Sequence, residues 1–371
     1  MQIASRGNPT NKIWCVLEKP YESDFNSGSI LSGSYGYQFD RLIEDAGLPY
    51  YDMFITCMKP DRSLQYDDQI VLDEFVKEAN RYKPPFLLVL GEKAVGDLLP
   101  QTRQFKKPFK PRIESFAGSL LTCGALNYEH YALTTHPVDH ICSNWDYRNI
   151  AVNLDLGHLR EEYESYLKQQ HHTPLPAYNI TCGPDFVTLL EKLNEYEDAD
   201  YLSIDIETLW MTKAKSKGTS FVGNPGFAYL LGIAPNDHEA VSFNLWGYTD
   251  RETLDIFRQL DRLFQKVRII GQNFYNFDLN WLLRTGFSFT QENIFDTKIR
   301  HHILWAELPH ALHFMTKQYT RTPYYKDEGR GFVPKNRHKL SQYQHYNGLD
   351  CCVTRAVFDE QEKELTERGL L

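Results

Sequence analysis

No Cys-x-x-Cys pair occurs in the 371 residues, and the seven cysteines are scattered apart from the adjacent Cys351 and Cys352. That spacing argues against zinc or a disulfide framework and for reduced, mostly packed thiols. No apolar run approaches the length needed to cross a bilayer. The opening MQIASRGNPTNKIWCVLEKP lacks the charged start, apolar stretch and cleavage site of a secretion signal. The expectation is a soluble intracellular protein, in the cytoplasm (of the host, if viral), with no membrane partner. Positive charge is also in deficit: a net −9 repels a polyanion at long range and weighs against a protein that coats nucleic acid electrostatically. A nuclease stays open, because an enzyme that collects acidic metal ligands takes its cationic charge from bound metal. Repeats and low-complexity tracts are absent as well.

What is present is ordinary globular composition, 42% hydrophobic and 24% charged, in a chain long enough for about two domains. Residues 1–170 alternate short β-rich runs (KIWCVLE, MFITCMK, FLLVLGE) with amphipathic stretches such as YGYQFDRLIEDAG. Strand alternating with helix reads as an α/β layer fold with a mainly parallel sheet. The stretch HHTPLPAYN, with its prolines and no periodicity, places a linker at 171–177. From 178 to 371 the pattern is a mixed sheet followed by helices.

Three short patterns in the second half carry chemistry. In YLSIDIET, Asp205 and Glu207 sit at the end of a strand-like run, and period-two alternation puts both carboxylates on one face, where they can share a hard cation. Alone, such a pair reads as a solvated strand. In GQNFYNFDLNWLLRTG, the spacing Asn-x-x-x-Phe-Asp places Asp278 just beyond a strand, on a helix anchored by Phe277, Leu279, Leu282 and Leu283; its plain alternative is a capped amphipathic helix. In HYNGLDCCVTRAVF, Tyr346 and Asp350 lie four apart, on one face of a helix. Together, in this order, the three patterns are specific.

On these motifs, residues from about 178 to 371 resemble the 3′-5′ exonuclease domain of family A DNA polymerases, phage polymerases included, in the tyrosine branch of the DEDD nuclease superfamily. The resemblance implies a ribonuclease H-like fold, DNA as substrate, a polymerase domain or subunit as partner, and a proofreading role. The chain ends soon after the third motif, whereas a polymerase domain would follow in that family, so a separate subunit or a fragment is expected. The chemistry fits: two divalent ions about 4 Å apart can ionise water and stabilise the leaving 3′ oxygen. Asp205, Glu207 and Asp350 would hold one ion, Asp205 and Asp278 the other, and oxygen-only ligands favour Mg²⁺ or Mn²⁺. Tyr346 would orient the attacking water. His345, five residues before Asp350, has the spacing of the histidine branch, but residues five apart diverge by about 140° on a helix, which favours Tyr346. Asn273 and Phe274 are expected at the DNA. Asp296 reads as a helix cap rather than a ligand, and His301, His302, His310 and His313 as packed or exposed residues.

Several pieces of residues 12–160 (VLEKP, GYQFDRLIEDAG, FITCMKP, PPFLLVLGEKAVGDLL, TTHPVD) resemble the uracil-DNA glycosylase superfamily, especially its iron-sulfur branch. The overall expectation is a glycosylase-like parallel-sheet α/β domain before the mixed-sheet exonuclease domain. Departures point to lost catalysis. VLEKP replaces a glycine-rich first motif, and Cys15, Cys57, Cys123 and Cys142 lack the paired spacing of cluster ligands, so no iron-sulfur cluster is expected. Glu18 and His136 would mark a vestigial site. The run RQFKKPFKPR mixes Arg103, Lys106, Lys107, Lys110 and Arg112 with two phenylalanines, which suits phosphate contact and base stacking, though such runs are often solvated loops. A repair protein that excises uracil and a non-catalytic replication scaffold remain as alternatives.

Overall fold

The computed structural model describes residues 3–60, 68–91, 94, 98, 113–210, 226–326, 329 and 339–371. Two compact units are present: Met1–Leu175 with Arg321–Tyr324, and Pro176–Thr320 with Tyr325–Leu371.

The first unit is built on strands β1 (Ile13–Leu17), β2 (Met53–Cys57), β3 (Phe86–Leu90), β4 (Leu120–Leu121) and β5 (Tyr131–Thr135), in the order β2-β1-β3-β5-β4. All but β4 run parallel. The continuous apolar runs IWCVL and FLLVL are buried throughout, as a parallel sheet covered on both faces requires. Alternation splits them between two cores. Ile13, Cys15, Leu17, Phe86, Leu88 and Leu90 pack with Phe39, Leu42 and Ile43 of helix α1 (Ser34–Asp45). Trp14, Val16, Leu87 and Val89 pack with Val71, Leu72, Phe75 and Ala79 of helix α2 (Asp68–Tyr82). One feature departs from the boundaries read in the sequence: Arg321–Tyr324 belongs to this unit. The Arg321 guanidinium donates to both Glu162 oxygens at 2.5 and 2.9 Å, and Tyr324 packs on Phe116 with ring centroids 4.4 Å apart.

The second unit has a six-stranded mixed sheet, β6 (Asn179–Cys182), β7 (Tyr201–Trp210), β8 (Gly226–Ala234), β9 (Glu239–Asn244), β10 (Arg268–Gly271) and β11 (Ile294–Asp296), in the order β11-β10-β7-β8-β9-β6. Helices α3 (Phe186–Glu195) and α4 (Asp250–Lys266) supply Leu189, Leu193, Ile256, Leu260, Leu263 and Phe264 to one core. A Thr249/Glu252 capping box starts α4, satisfying amides that the first turn leaves unpaired. Helix α5 (Asp278–Thr285) follows β10; α6 (Thr297–Leu304) follows β11; α7 (Leu312–Tyr319) and the long α8 (Leu340–Glu367) complete the unit.

Helix α8 packs Leu349, Val353 and Val357 against Leu312 and Met315, and Cys351 and Cys352 against Ala234 and Ala240. Its close approach to β8 depends on Gly232: a Cβ there would lie 2.7 Å from both Asn347 Oδ1 and Cys351 Sγ. Among the described residues, no helix is long and apolar enough to cross a membrane.

Candidate active site

Strand β7 is the centre of the second sheet and carries Asp205 and Glu207. These do not close the strand, as the sequence suggested, because pairing with β8 continues to Trp210. What ends is the parallel pairing: β10 accompanies β7 only from Tyr201 to Ser203. Beyond Ser203 no strand pairs with that edge among the described residues, the Ile206 amide donating to Asp278 instead, and a register shift between Glu207 and Thr208 interrupts the β8 pairing next to the site.

Oxygens of Asp205, Glu207 and Asp350 come within 4.8 Å of one another. An all-carboxylate donor set of this span fits a hard divalent ion, whose opposite oxygens lie about 4 to 5 Å apart. Asn347 Nδ2 donates to Asp205 Oδ2 at 2.8 Å and to its carbonyl at 3.1 Å, and is itself oriented by Ser242 Oγ, which donates to Asn347 Oδ1 at 2.7 Å. Tyr343 OH donates to Glu207 Oε2 at 2.5 Å. Tyr325 OH donates to Asp350 Oδ1 at 2.5 Å, and Lys326 Nζ forms an ion pair with the same oxygen. Asp278, at the start of α5, is buried and accepts from the Ile206 amide at 3.1 Å.

Tyr346 lies on the same face of α8 as Asp350. Its hydroxyl accepts from Lys326 Nζ at 3.3 Å, and its ring stacks on Tyr343 with centroids 6.2 Å apart. Burial, and then the charges of Asp350, Glu207 and Asp205, push its pKa up, so it stays a hydroxyl donor.

The electrostatics are those of crowded acids. Burial first, then the charges of Asp350, Asp278 and Glu207, raise Asp205 well above the usual carboxylate range. Burial does the same to Asp278, against the opposing Ile206 amide. Glu207 is pushed up to about 7 by burial, with the Tyr343 hydrogen bond acting against it. Such acids are poised to accept a cation.

The second pattern is placed differently from expectation. Phe274, expected at the DNA, is fully buried in the sheet core, with its ring lying so close to Gly271 that a Cβ there would meet it at 2.4 Å. The chain turns under it because Asn273 adopts a left-handed conformation, φ 58°, and Asn273 Oδ1 accepts from Lys298 Nζ at 2.9 Å. Leu282 is buried and Leu279 packs on the core, as expected, with Trp281 as a further anchor of α5; Phe277 and Leu283 are exposed. The helix begins only at Asp278 after a 3₁₀ turn, which rotates its apolar face. Asp296 is a cap, accepting from the Lys298 amide at 2.9 Å and also from the Asn273 amide at 2.9 Å. His301 is buried and hydrogen-bonded to His310 and Gln318, while His302 bonds the other nitrogen of His310.

Tyr325, Lys326, Tyr343 and Asn347 were missed in the sequence. For Tyr343 and Asn347 a signal existed, since they precede Asp350 by seven and three residues, one helical face. For Tyr325 and Lys326 there was none.

The profile of the 3′-5′ exonuclease family matches residues 180–366, half of the chain. The chain belongs to this family. Solved structures similar to the exonuclease are distant. The catalytic core of RRP6 from Trypanosoma brucei is 16% identical over 54% of this chain and 52% of that one, with TM-score 0.39. RNase D from Escherichia coli is 14% identical over 52% and 48%, TM-score 0.35. Pol1 from M. smegmatis with DNA primer-template and dNTP is 10% identical over 51% and 28%, TM-score 0.38. The chain thus spans about half the length of the RRP6 core. No curated protein matches it.

In the first unit, a cleft of about 550 Å³ opens at the carboxyl ends of β1, β3 and β5, lined by Glu18, Lys19, Tyr21, His136, Asp139 and His140 among others. His136 is buried, stacked on His140 with centroids 4.8 Å apart and near Tyr147 at 4.6 Å. Tyr21 OH donates to Asp139 Oδ1 at 2.9 Å. The basic stretch with Arg103, Lys106, Lys107, Lys110 and Arg112 lies outside the described residues.

Glu207 yields a test on stability. A carboxyl with a higher pKa in the folded than in the unfolded chain contributes stability that is complete below its ordinary value and lost as pH rises through the folded one, here from 4.5 to about 7. In a chelator, wild type and Glu207→Gln should melt alike at about pH 4, and the variant should melt higher at about pH 8. Equal melting temperatures across that range would refute the raised value.

Proposed function

We propose that the second unit removes nucleotides from 3′ ends of DNA, single-stranded or frayed from a primer, as the proofreading part or subunit of a family A DNA polymerase, with Mg²⁺ or Mn²⁺ as its metal. The observation that carries this reading is the convergence of Asp205, Glu207 and Asp350 inside the segment that matches the exonuclease family.

When bound, two divalent ions would supply a nucleophilic water at neutral pH and charge stabilisation for the leaving 3′ oxygen. Asp205, Glu207 and Asp350 would hold one, and Asp205 with Asp278 the other. Asn347 fixes the rotamer of Asp205, and Tyr343 that of Glu207. Tyr346 aims the attacking water with its hydroxyl. The first unit serves as a non-catalytic DNA-binding or docking domain.

Digestion of single-stranded DNA and of mismatched primer ends should stop in EDTA and return with Mg²⁺ or Mn²⁺. Asp205 and Glu207 changed together to Ala should abolish it while the protein stays folded. Robust digestion by the folded double variant, or without metal, would sink the mechanism; faster removal from RNA than from DNA would move the substrate to RNA.

The neighbours Tyr346 and His345 separate the two branches of the superfamily. Tyr346→Phe should slow the reaction clearly while His345→Ala leaves it nearly unchanged, since loss of a histidine general base would cost about 10² to 10⁴ in rate. A severe His345→Ala defect would assign the histidine branch.

One observation favours a second reading, uracil excision by the first unit: Glu18 and His136 line one cleft. The altered VLEKP motif argues against it, so release of free uracil from uracil-containing DNA should be absent or very slow. Prompt release, lost in His136→Ala, would promote the repair reading.

A further inference from the structure

Three acids that crowd within 4.8 Å need compensation whenever no metal is bound, and one side chain is built into the site to provide it. Lys326 follows Tyr325 directly, and both side chains reach Asp350 Oδ1, the ammonium as an ion pair and the phenol as a donor at 2.5 Å. The Lys326 ammonium also donates to Tyr346 OH at 3.3 Å and sits 5.2 Å from the ring centroids of both Tyr325 and Tyr346. The two rings thus give the cation a cradle. Three residues on, Gly329 passes directly over Tyr346: a Cβ there would lie 2.7 Å from its ring, so the backbone is laid against α8 at this point. The cation acts on the other acids too, opposing the upward shifts of Asp205 and Glu207.

We propose that Lys326 is an internal counter-cation of the exonuclease centre, holding Asp350 when the site is free of metal and yielding it when a divalent ion enters. The inference rests on the metal-dependent reading above. The reason is competition: ammonium and divalent ion are like charges that seek the same carboxylate, so both cannot keep full contact with Asp350. The four-carbon lysine stem lets the ammonium withdraw without moving the backbone, and its side chain keeps 20% exposure against 5% for Asp350, leaving it a way out to water. Lys326 is therefore a positioning residue. It keeps the acids assembled at the cost of metal affinity, because a ligand binds more weakly when its competent state is only part of the population.

The test uses the full chain and Mn²⁺ alone, with binding measured by calorimetry and by the electron paramagnetic resonance signal of free Mn²⁺, and melting followed in EDTA. Lys326→Met should bind Mn²⁺ about tenfold more tightly than wild type and melt lower in EDTA, the melting deficit closing once Mn²⁺ is added. Lys326→Arg, which retains the charge, should bind no more tightly than wild type. Lys326→Gln, which keeps a long polar stem without charge, is measured alongside in case the methionine variant does not fold, and should also bind more tightly. Unchanged or weaker Mn²⁺ binding in the uncharged variants, where wild type binds and the Asp205/Glu207 double alanine variant does not, overturns the role of Lys326 and leaves the metal-dependent reading standing. Wild-type binding that survives in the double alanine variant, or no binding at all, overturns both.

Discussion

Bringing carboxylates together away from water is the constraint around which the second unit is organised. Two unit charges about 5 Å apart repel by roughly 3 kcal/mol at an effective dielectric of 20, and here three acids meet within that distance with Asp278 beside them. Each is held by a donor that costs no further acid: Asn347 for Asp205, Tyr343 for Glu207, the Ile206 amide for Asp278, Tyr325 for Asp350. These neutral donors fix position without neutralising charge, so compensation must come from a cation, Lys326 paired with Asp350 or a metal ion.

The sheet supplies the positions. Strand β7 is central and has partners on both sides up to Ser203, then on one side only. Asp205 and Glu207 therefore stand on a central strand just past the end of its parallel pairing, where Asp278 takes up the Ile206 amide. Helix α8 can lie close enough to deliver Asp350 and Asn347 because Gly232 leaves room. Precision of this kind comes from packing: Cys351 and Cys352, one and two residues beyond Asp350, lock the helix against Ala234 and Ala240.

The first unit follows a simpler logic. Its strands are apolar on both faces and divide their residues between two cores, which is why a parallel sheet was readable from runs such as FLLVL. The cleft at the strand ends gathers Glu18 and His136, which are 118 residues apart in the chain. The open carboxyl edge of a parallel α/β sheet is where such residues meet.

Local patterning alone determined that the chain has two α/β units, that Asp205 and Glu207 share one strand face, that Tyr346 and Asp350 share one helix face, and that Asp296 caps a helix. These depend on periods of two and 3.6 residues, which adjacent positions encode. Only the tertiary structure decided that Phe274 is core, that Trp281 rather than Phe277 or Leu283 joins Leu282 in anchoring α5, that Arg321–Tyr324 joins the first unit, and that Tyr325 and Lys326 reach Asp350. Each of those depends on where a turn redirects the chain or on which distant surface a segment meets. The left-handed Asn273 and the ion pair of Arg321 with Glu162 set those outcomes, and no short-range period carries them.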